Sequence, residues 1–594
     1  MSSRDLRVWA PTASSVDLVL DASSAPMERR SGGWWSAPRP PGEGEIDYAY
    51  SLDGGSPRPD PRSPWQPHGV NAPSRTFDAT VFAWTDEDWL GPREGVGVLG
   101  SVIYELHLGT FTAEGTCDAA VSRLGHLVDL GVDVVEVMPV AAFGGSHGWG
   151  YDGVQPYAVQ EAYGGPAAFQ RFVDACHAIG LGVCLDVVYN HLGPTGNYLA
   201  EFGPYFTDAH HTPWGPAVNL DGEGSHEVRR WIIDNALRWF EDFHLDALRL
   251  DAVHELRDAS PRHILADLSD ETAALAEELG RPLHLIAESD LNDPLTIAPT
   301  GDGGMGMTAQ WDDDVHHALH VALTGERSGY YEDFGGGTPA WPDGGPLSVL
   351  AKTLTEVFLH DGRMSTFRGR RWGAPVGSAT SRHRFIAYLQ NHDQVGNRAT
   401  GDRISESTSP GLQAIGAALY LLSPYTPMIF MGEEWRASTP FLFFTSFEED
   451  ALAAAVRDGR RSEFARHGWR AQDVPDPQDP RTRAASVLDW SERRVPGHME
   501  MLHFYRELIA ARRRRPELRK SDLRSISVAF DESDRWLIMS RGKTHVVANL
   551  ASRAQLIRFE DDIEQVLAAW RQTPVIDDAG LLLDGHDVVV VRAR

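Results

Sequence analysis

The sequence predicts an α/β protein built on a (β/α)8 TIM-type barrel, with a β-sandwich before the barrel and a small β-domain after it. Three patterns carry that expectation. Short strand-like runs broken by Pro and Gly extend to about Trp89. From about Val102 strands alternate with helical segments through eight strands, and after Pro516 the chain returns to strands without helices. Repeated β-α units imply parallel strands, and eight of them imply closure into a barrel.

The N-terminal runs LRVWA, VDLVL, GWWSA and DYAYSL have the period-2 alternation of half-buried strands, as in a sandwich. Residues 1–91 are expected to form this unit, similar to a carbohydrate-binding module, with the Pro-rich stretch Pro57–Pro73 as an extended connector. The barrel is expected over residues 92–515. Its candidate strands are Val102–Leu108, Val132–Val140, Val183–Asn190, Asp246–Val253, Leu283–Ser289, Met307–Trp311, Ile386–Asn391 and Pro427–Glu434. Helical segments such as Ala119–Gly131 and Ala167–Gly180 lie between them, each closed by a glycine suited to a helix C-cap. Two excursions interrupt the alternation: a small one at 192–224 after the third strand, and Trp435–Gly497 after the eighth. Long structured loops at that end of a barrel shape active sites. The helix His498–Arg515 closes the barrel, and its terminal arginines suit a solvated helix C-terminus. Residues 516–594 alternate again (SISVAF, RWLIMSR, THVVANL, HDVVVVR) as the C-terminal β-domain.

The length of 594 residues exceeds one compact core and fits several domains. Lys+Arg 54 against Asp+Glu 84 leaves a net charge of −30, which argues against nucleic acid or an anionic membrane as partner. Cys117, Cys176 and Cys184 are odd in number and lack metal-ligand spacing, so free thiols in a reducing compartment are expected. MSSRDLRVWAP has no apolar signal core and no run is long enough to span a bilayer, so the expected location is cytoplasmic.

Four apolar runs end in a carboxylate: GVCLDVVYNH, DALRLDAVH, PLHLIAESD and FIAYLQNHD. A buried strand has little use for a charge, so Asp186, Arg249, Asp251, Glu288 and Asp393 carry desolvation costs that packing alone does not justify. In a parallel barrel, groups at the C-terminal strand ends converge on one site. Three carboxylates and an arginine converging there suit cleavage of a glycosidic bond.

In order and placement, DVVYNH, LRLDAVH, IAESD and LQNHDQ resemble the four signature regions of the α-amylase clan of retaining glycoside hydrolases, family 13. YELHLGTFTAEGT, HGWGYDG, AQWDDDVHHALH, LQNHDQVGNRATGDR and FMGEEW are similar to the maltooligosyltrehalose trehalohydrolase family within it, over essentially the whole chain. That resemblance implies hydrolysis of the α-1,4 bond next to a terminal trehalose unit, releasing trehalose. It implies Asp251 as nucleophile, Glu288 as general acid/base and Asp393 as the third carboxylate. Arg249 would hold Asp251 ionised and oriented. His191, His392, Tyr151, Asp152, His254, Gln394 and Asn397 would contact sugar. Asp186 would do so or would support those that do. Asp313 and His316, in QWDDDVHH, would line the trehalose end, or the acidic run would start a helix. Glu433 and Glu434 would structure the last loop.

Relatives in the clan commonly hold calcium between the Asn of the first region and a carboxylate-rich excursion. Asn190 is present, but 192–224 offers mainly His, Pro and aromatics, with Glu201, Asp208 and Asp221 scattered, so no metal and no cofactor are expected. The expected partner is maltooligosyltrehalose or a related α-glucan, and the expected state a monomer, with a homodimer as the alternative. A branching or debranching enzyme of the clan, and a non-catalytic glucan-binding protein, are the competing readings.

Overall fold

The computed structural model describes residues 5–594 apart from 22, 41–43, 466–469, 471–472, 523–525, 560, 572–573 and 578–579. Eight parallel strands close into a barrel: β1 (Ile103–Leu106), β2 (Val134–Val137), β3 (Gly182–Val187), β4 (Ala247–Leu250), β5 (His284–Ala287), β6 (Ala309–Trp311), β7 (Phe385–Tyr388) and β8 (Thr426–Phe430). Each pairs with its sequence neighbour, and β8 closes onto β1 through Met428↔Ile103. All eight coincide with the strands expected from the sequence. All but β6, which ends at Trp311 as expected, stop before the expected limit, because residues such as Asn190, Asp251 and Glu288 leave the ladder to enter the site.

Period-2 alternation divides the strands into two faces. Ile103, Val134, Cys184, Ala247, Ile286, Ala309, Ile386 and Met428 form one apolar plug inside the barrel. Two residues further along the first four strands, on the same face, stand Glu105, Glu136, Asp186 and Arg249, all buried. An apolar floor under a polar layer puts the charged groups at the C-terminal mouth, where burial perturbs their protonation.

The N-terminal region holds a four-stranded and a three-stranded antiparallel sheet. It packs on the excursion after β3, where the Trp9 and Tyr205 rings meet at 5.4 Å and Arg58 pairs with Glu201 at 2.8 Å. That excursion carries the short helix Leu199–Phe202 and the hairpin Phe206–Thr212 with Gly215–Val218. The helix His498–Arg514 precedes a five-stranded sheet (Ile526–Asp531, Trp536–Arg541, Thr544–Asn549, Ile563–Ala569 and Asp587–Ala593) and a three-stranded sheet. Ser525, part of the expected SISVAF strand, lies outside the described residues. A further excursion, not anticipated, separates β6 from β7. It contains the helix Pro346–Glu356 and the hairpin Arg363–Ser365 with Arg370–Trp372.

Candidate active site

Arg249 organises the mouth of the barrel. It is fully buried on β4, and its Nη1 donates to both oxygens of Asp186 (2.9 and 2.8 Å) and to Asp251 Oδ1 (2.9 Å). Its Nη2 lies 3.6 Å from Glu288 Oε2, and its guanidinium sits 4.2 Å over the Trp311 ring. Burial works against the cation, but the Asp186 carboxylate, with that of Asp251, overcomes this and holds it charged.

Asp251 follows β4 directly. Its Oδ2 accepts from the Asn190 side-chain amide at 2.8 Å, so each carboxylate oxygen has its own fixed donor. The next residue, Ala252, has φ 39, a left-handed conformation that a non-glycine residue adopts at a cost. This turn aims its N–H at Glu288 Oε2, 2.5 Å away. Burial, opposed by Arg249 and reinforced by the Asp251 and Asp393 carboxylates, pushes the Glu288 carboxyl up to about 8. Two carboxyl groups touching one guanidinium thus differ in character: Asp251 is doubly held by donors, and Glu288 is protonated at neutral pH.

Asp393 stands at the start of the short helix His392–Gly396, whose N-cap is Asn391 in a capping box with Gln394. Its side chain is the open one of the three, 43% exposed, and Asn397 donates to it at 3.3 Å. His392 Nε2 is 2.8 Å from the Tyr151 hydroxyl, and the two rings stack at 5.3 Å. Tyr151 in turn donates to Asp186 at 2.6 Å. His191 Nε2 is 3.0 Å from the Tyr151 carbonyl, its Nδ1 bonds Asn190, and its ring stacks on Trp214 at 4.1 Å. Trp214 is half exposed at the tip of the hairpin after β3, a flat apolar surface beside the site.

A model of the alpha amylase catalytic domain matches residues 80–210. A malto-oligosyltrehalose trehalohydrolase from Arthrobacter ramosus is 51% identical over 594 residues, covering 99% of this chain and 100% of that protein. The chain belongs to the malto-oligosyltrehalose trehalohydrolase family. Another relative of that name, from Mycobacterium tuberculosis, is 47% identical over 99% of both chains. A Salmonella typhimurium crystal structure provisionally assigned as an alpha amylase superposes with a TM-score of 0.88 at 37% identity, covering 99% of this chain and 97% of that one.

A cavity of about 220 Å³ opens beside Glu288 and Asp393, and Asp251 does not line it. Its walls are Asp290, Trp311, Asp313, His317, Tyr330, Phe367, Arg368, Asn391, Gln394 and Asn397. Asp313 accepts from Tyr388 (2.6 Å) and Gln394 (3.2 Å), and burial pushes its carboxyl up to about 6. His316 is turned away from this cavity, against the expectation. It is buried, bonded to the Leu389 carbonyl and the Tyr331 hydroxyl, and burial drives it well below the ordinary imidazole range. One step along the helix Asp313–Thr324 rotates the side chain by about 100°, so the neighbouring His317 faces the cavity instead.

Asp152 is near Tyr151 in the loop before the strand Gly153–Val159, and burial pushes its carboxyl up to about 6. His254 lies in the turn Val253–Glu255 beyond Asp251, and its buried Nδ1 has no partner among the described residues. Glu433 accepts from Tyr420 and Tyr505, and Glu434 from Tyr104 and His126, so both brace the loop after β8. Carboxylates of the excursion after β3 are similarly engaged: Glu201 pairs with Arg58, and Asp221 bonds His210 and the Ala259 N–H. Cys117, Cys176 and Cys184 are buried free thiols.

Tyr330, Phe367 and Arg368 were not foreseen. They come from the excursion between β6 and β7, whose GGGTPAWPDGGP stretch gives no periodic signal. Glu105 and Glu136 were also passed over, although a glutamate inside an apolar run (VIYELHL, VDVVEVMPV) is the same signal that picked out Asp186.

Proposed function

We propose that this chain hydrolyses the α-1,4-glucosidic bond beside the terminal trehalose of maltooligosyltrehalose, with Asp251 as nucleophile and Glu288 as acid/base. Family membership supports the reaction, and the opposed environments of the two carboxyl groups around Arg249 support the roles. Asp251, held by Arg249 and Asn190, attacks the anomeric carbon while Glu288 gives its proton to the departing glycosidic oxygen. The C–O bond to the leaving sugar breaks, and an ester to Asp251 forms. Glu288, now a carboxylate receiving the Ala252 N–H, takes a proton from water, whose oxygen displaces Asp251. Two inversions give net retention. Asp393 and His392 hold the sugar hydroxyls through the transition state.

The acid serves the leaving group, so the cavity on the acid's side, away from Asp251, takes the trehalose end. Its polar walls (Asp290, Asp313, His317, Arg368) and the Tyr330 and Phe367 rings offer hydrogen bonds and a stacking face. The glucan chain runs the other way, past His191 and Trp214. Water resolves the intermediate in this reading; transfer to a glucan hydroxyl would make α-1,6 branches instead. Following the reaction by proton NMR in its first turnovers tests the mechanism. The new reducing end of the maltooligosaccharide should appear as the α-anomer, and a β-anomer would remove Asp251 from the nucleophile's role.

A further inference from the structure

Glu105 stands on β1 inside the barrel, next to Glu136 of β2, its register partner. Both are buried, and both its oxygens are committed to one residue. Oε1 lies 2.5 Å from His392 Nδ1, and Oε2 accepts the His392 backbone N–H at 3.0 Å. The other ring nitrogen, Nε2, is 2.8 Å from the Tyr151 oxygen and 3.5 Å from Asp393 Oδ1. Tyr151 has a single hydroxyl hydrogen, and it goes to Asp186 at 2.6 Å. Asp186 cannot reverse that bond, because Arg249 grips both of its oxygens. The Tyr151 oxygen therefore accepts from Nε2–H. Nδ1 faces a carboxylate that only accepts, so Nδ1 must donate as well. An imidazole that donates from both nitrogens is an imidazolium.

We propose that Glu105 is a positioning residue for the reaction, holding His392 doubly protonated so that its Nε2 side fixes Tyr151 and Asp393 against the bound sugar. The inference rests on the roles proposed above for Asp393 and its neighbours. The charges facing His392 are Glu105 from β1, Glu136 from β2, Asp186 from β3, Arg249 from β4 and Asp393 on its own helix. Tyr151 and His107 complete its titratable surroundings. Burial pulls the imidazole down, but Asp393 and Glu105 outweigh it, against Arg249, and lift it to about 9. His107 adds no charge, since burial lowers it to about 3. Glu136 adds little charge at neutral pH: burial, with the neighbouring Glu105, pushes it up to about 8. Adjacent buried carboxyls divide protonation in this way because both cannot ionise cheaply. One glutamate in the YELHL segment therefore holds a histidine that follows β7, with only β8 between their strands.

Glu105→Gln keeps the shape and removes the charge. Its kcat on maltooligosyltrehalose should fall by about 10–100-fold near pH 8, the scale of a lost charge-assisted hydrogen bond, with KM changed less than about threefold. The defect should shrink as pH falls to about 5.5, where His392 regains its proton without help; a purely structural role would give a defect independent of pH. Glu136→Gln, replacing a group that is neutral below about pH 7, should stay within about twofold of wild type between about pH 5.5 and 7. Titration of 13C-labelled histidine in the wild-type protein, with His392 assigned by loss of its signal in His392→Asn, tests the claim without substrate and without the Glu105 variant folding. A His392 titration clearly above the ordinary imidazole value supports the proposal. One at or below about 6.5 overturns it, as does a pH-independent defect in Glu105→Gln. Trehalose release with a low His392 value would refute this inference alone, and a high value without trehalose release would refute the functional reading instead.

Discussion

Replacing Glu288 by Gln should destroy activity and stabilise the fold, increasingly so at alkaline pH. Glu288 is the proposed general acid, so turnover should fall by at least about 10²–10⁴-fold. The stability effect follows from the native environment. Glu288 is partly buried beside Asp251, and its carboxyl moves from an ordinary 4.5 to about 8. A group raised on folding contributes stability that is fully present below about pH 4.5 and lost as pH rises through 8. At about 1.36 kcal/mol per unit, the ionised glutamate costs up to about 5 kcal/mol above that window. Water entering the cleft and relaxation of the site reduce the figure, so a gain of about 2–4 kcal/mol near pH 8.5 is expected for the glutamine. The Gln carbonyl can still accept the Ala252 N–H that now ends at Glu288 Oε2, so no donor is orphaned. The assay is the Tm of both proteins at about pH 5 and about pH 8.5 in the same salt. A Tm advantage that appears at the higher pH and vanishes at the lower one agrees with the reasoning. An equal difference at both, or a destabilised variant at the higher pH, would refute it.

Two further outcomes are expected. Asp251→Ala should abolish turnover while far-UV circular dichroism and Tm stay near wild type, because Arg249 keeps Asp186 as a buried partner; substantial activity would exclude Asp251 as nucleophile. Exhaustive chelation should leave both Tm and activity unchanged, since the Asn190 side-chain oxygen is bonded to His191 Nδ1 and the excursion carboxylates Glu201 and Asp221 are bonded elsewhere; a Tm drop reversed by calcium would expose an ion site.

Much of the barrel could be read in the sequence because fully buried parallel strands appear as unbroken apolar runs, and a charge inside such a run stands out. That contrast located Asp186, Arg249, Asp251, Glu288 and Asp393. It also marks Glu105 and Glu136, which lie mid-run and were read as part of the strand pattern alone. Single-residue precision on a helix was less legible. Asp313 reaches the cavity and His316 does not, because the 3.6-residue turn decides which of two adjacent histidines faces inward. The excursion between β6 and β7 was invisible for another reason. Its stretch before the helix Pro346–Glu356 is rich in Gly and Pro and follows no period, and the excursion is tied down by tertiary contacts such as the His360–Asp333 pair at 3.0 Å and the Arg368–Asp290 pair at 2.9 Å. Those contacts bring Tyr330, Phe367 and Arg368 to the cavity from positions no local pattern connects to it.

In the proposed function, the cavity beside Glu288 is built for a trehalose end. The most direct test is a comparison of kcat/KM on maltotriosyltrehalose and on maltopentaose, which has the same number of glucose units, with products resolved by chromatography. A site whose polar groups are paired only by the non-reducing trehalose end should prefer the first by about two orders of magnitude or more, releasing trehalose and maltotriose. Equal rates on the two substrates, or products carrying new α-1,6 branches, would contradict the account.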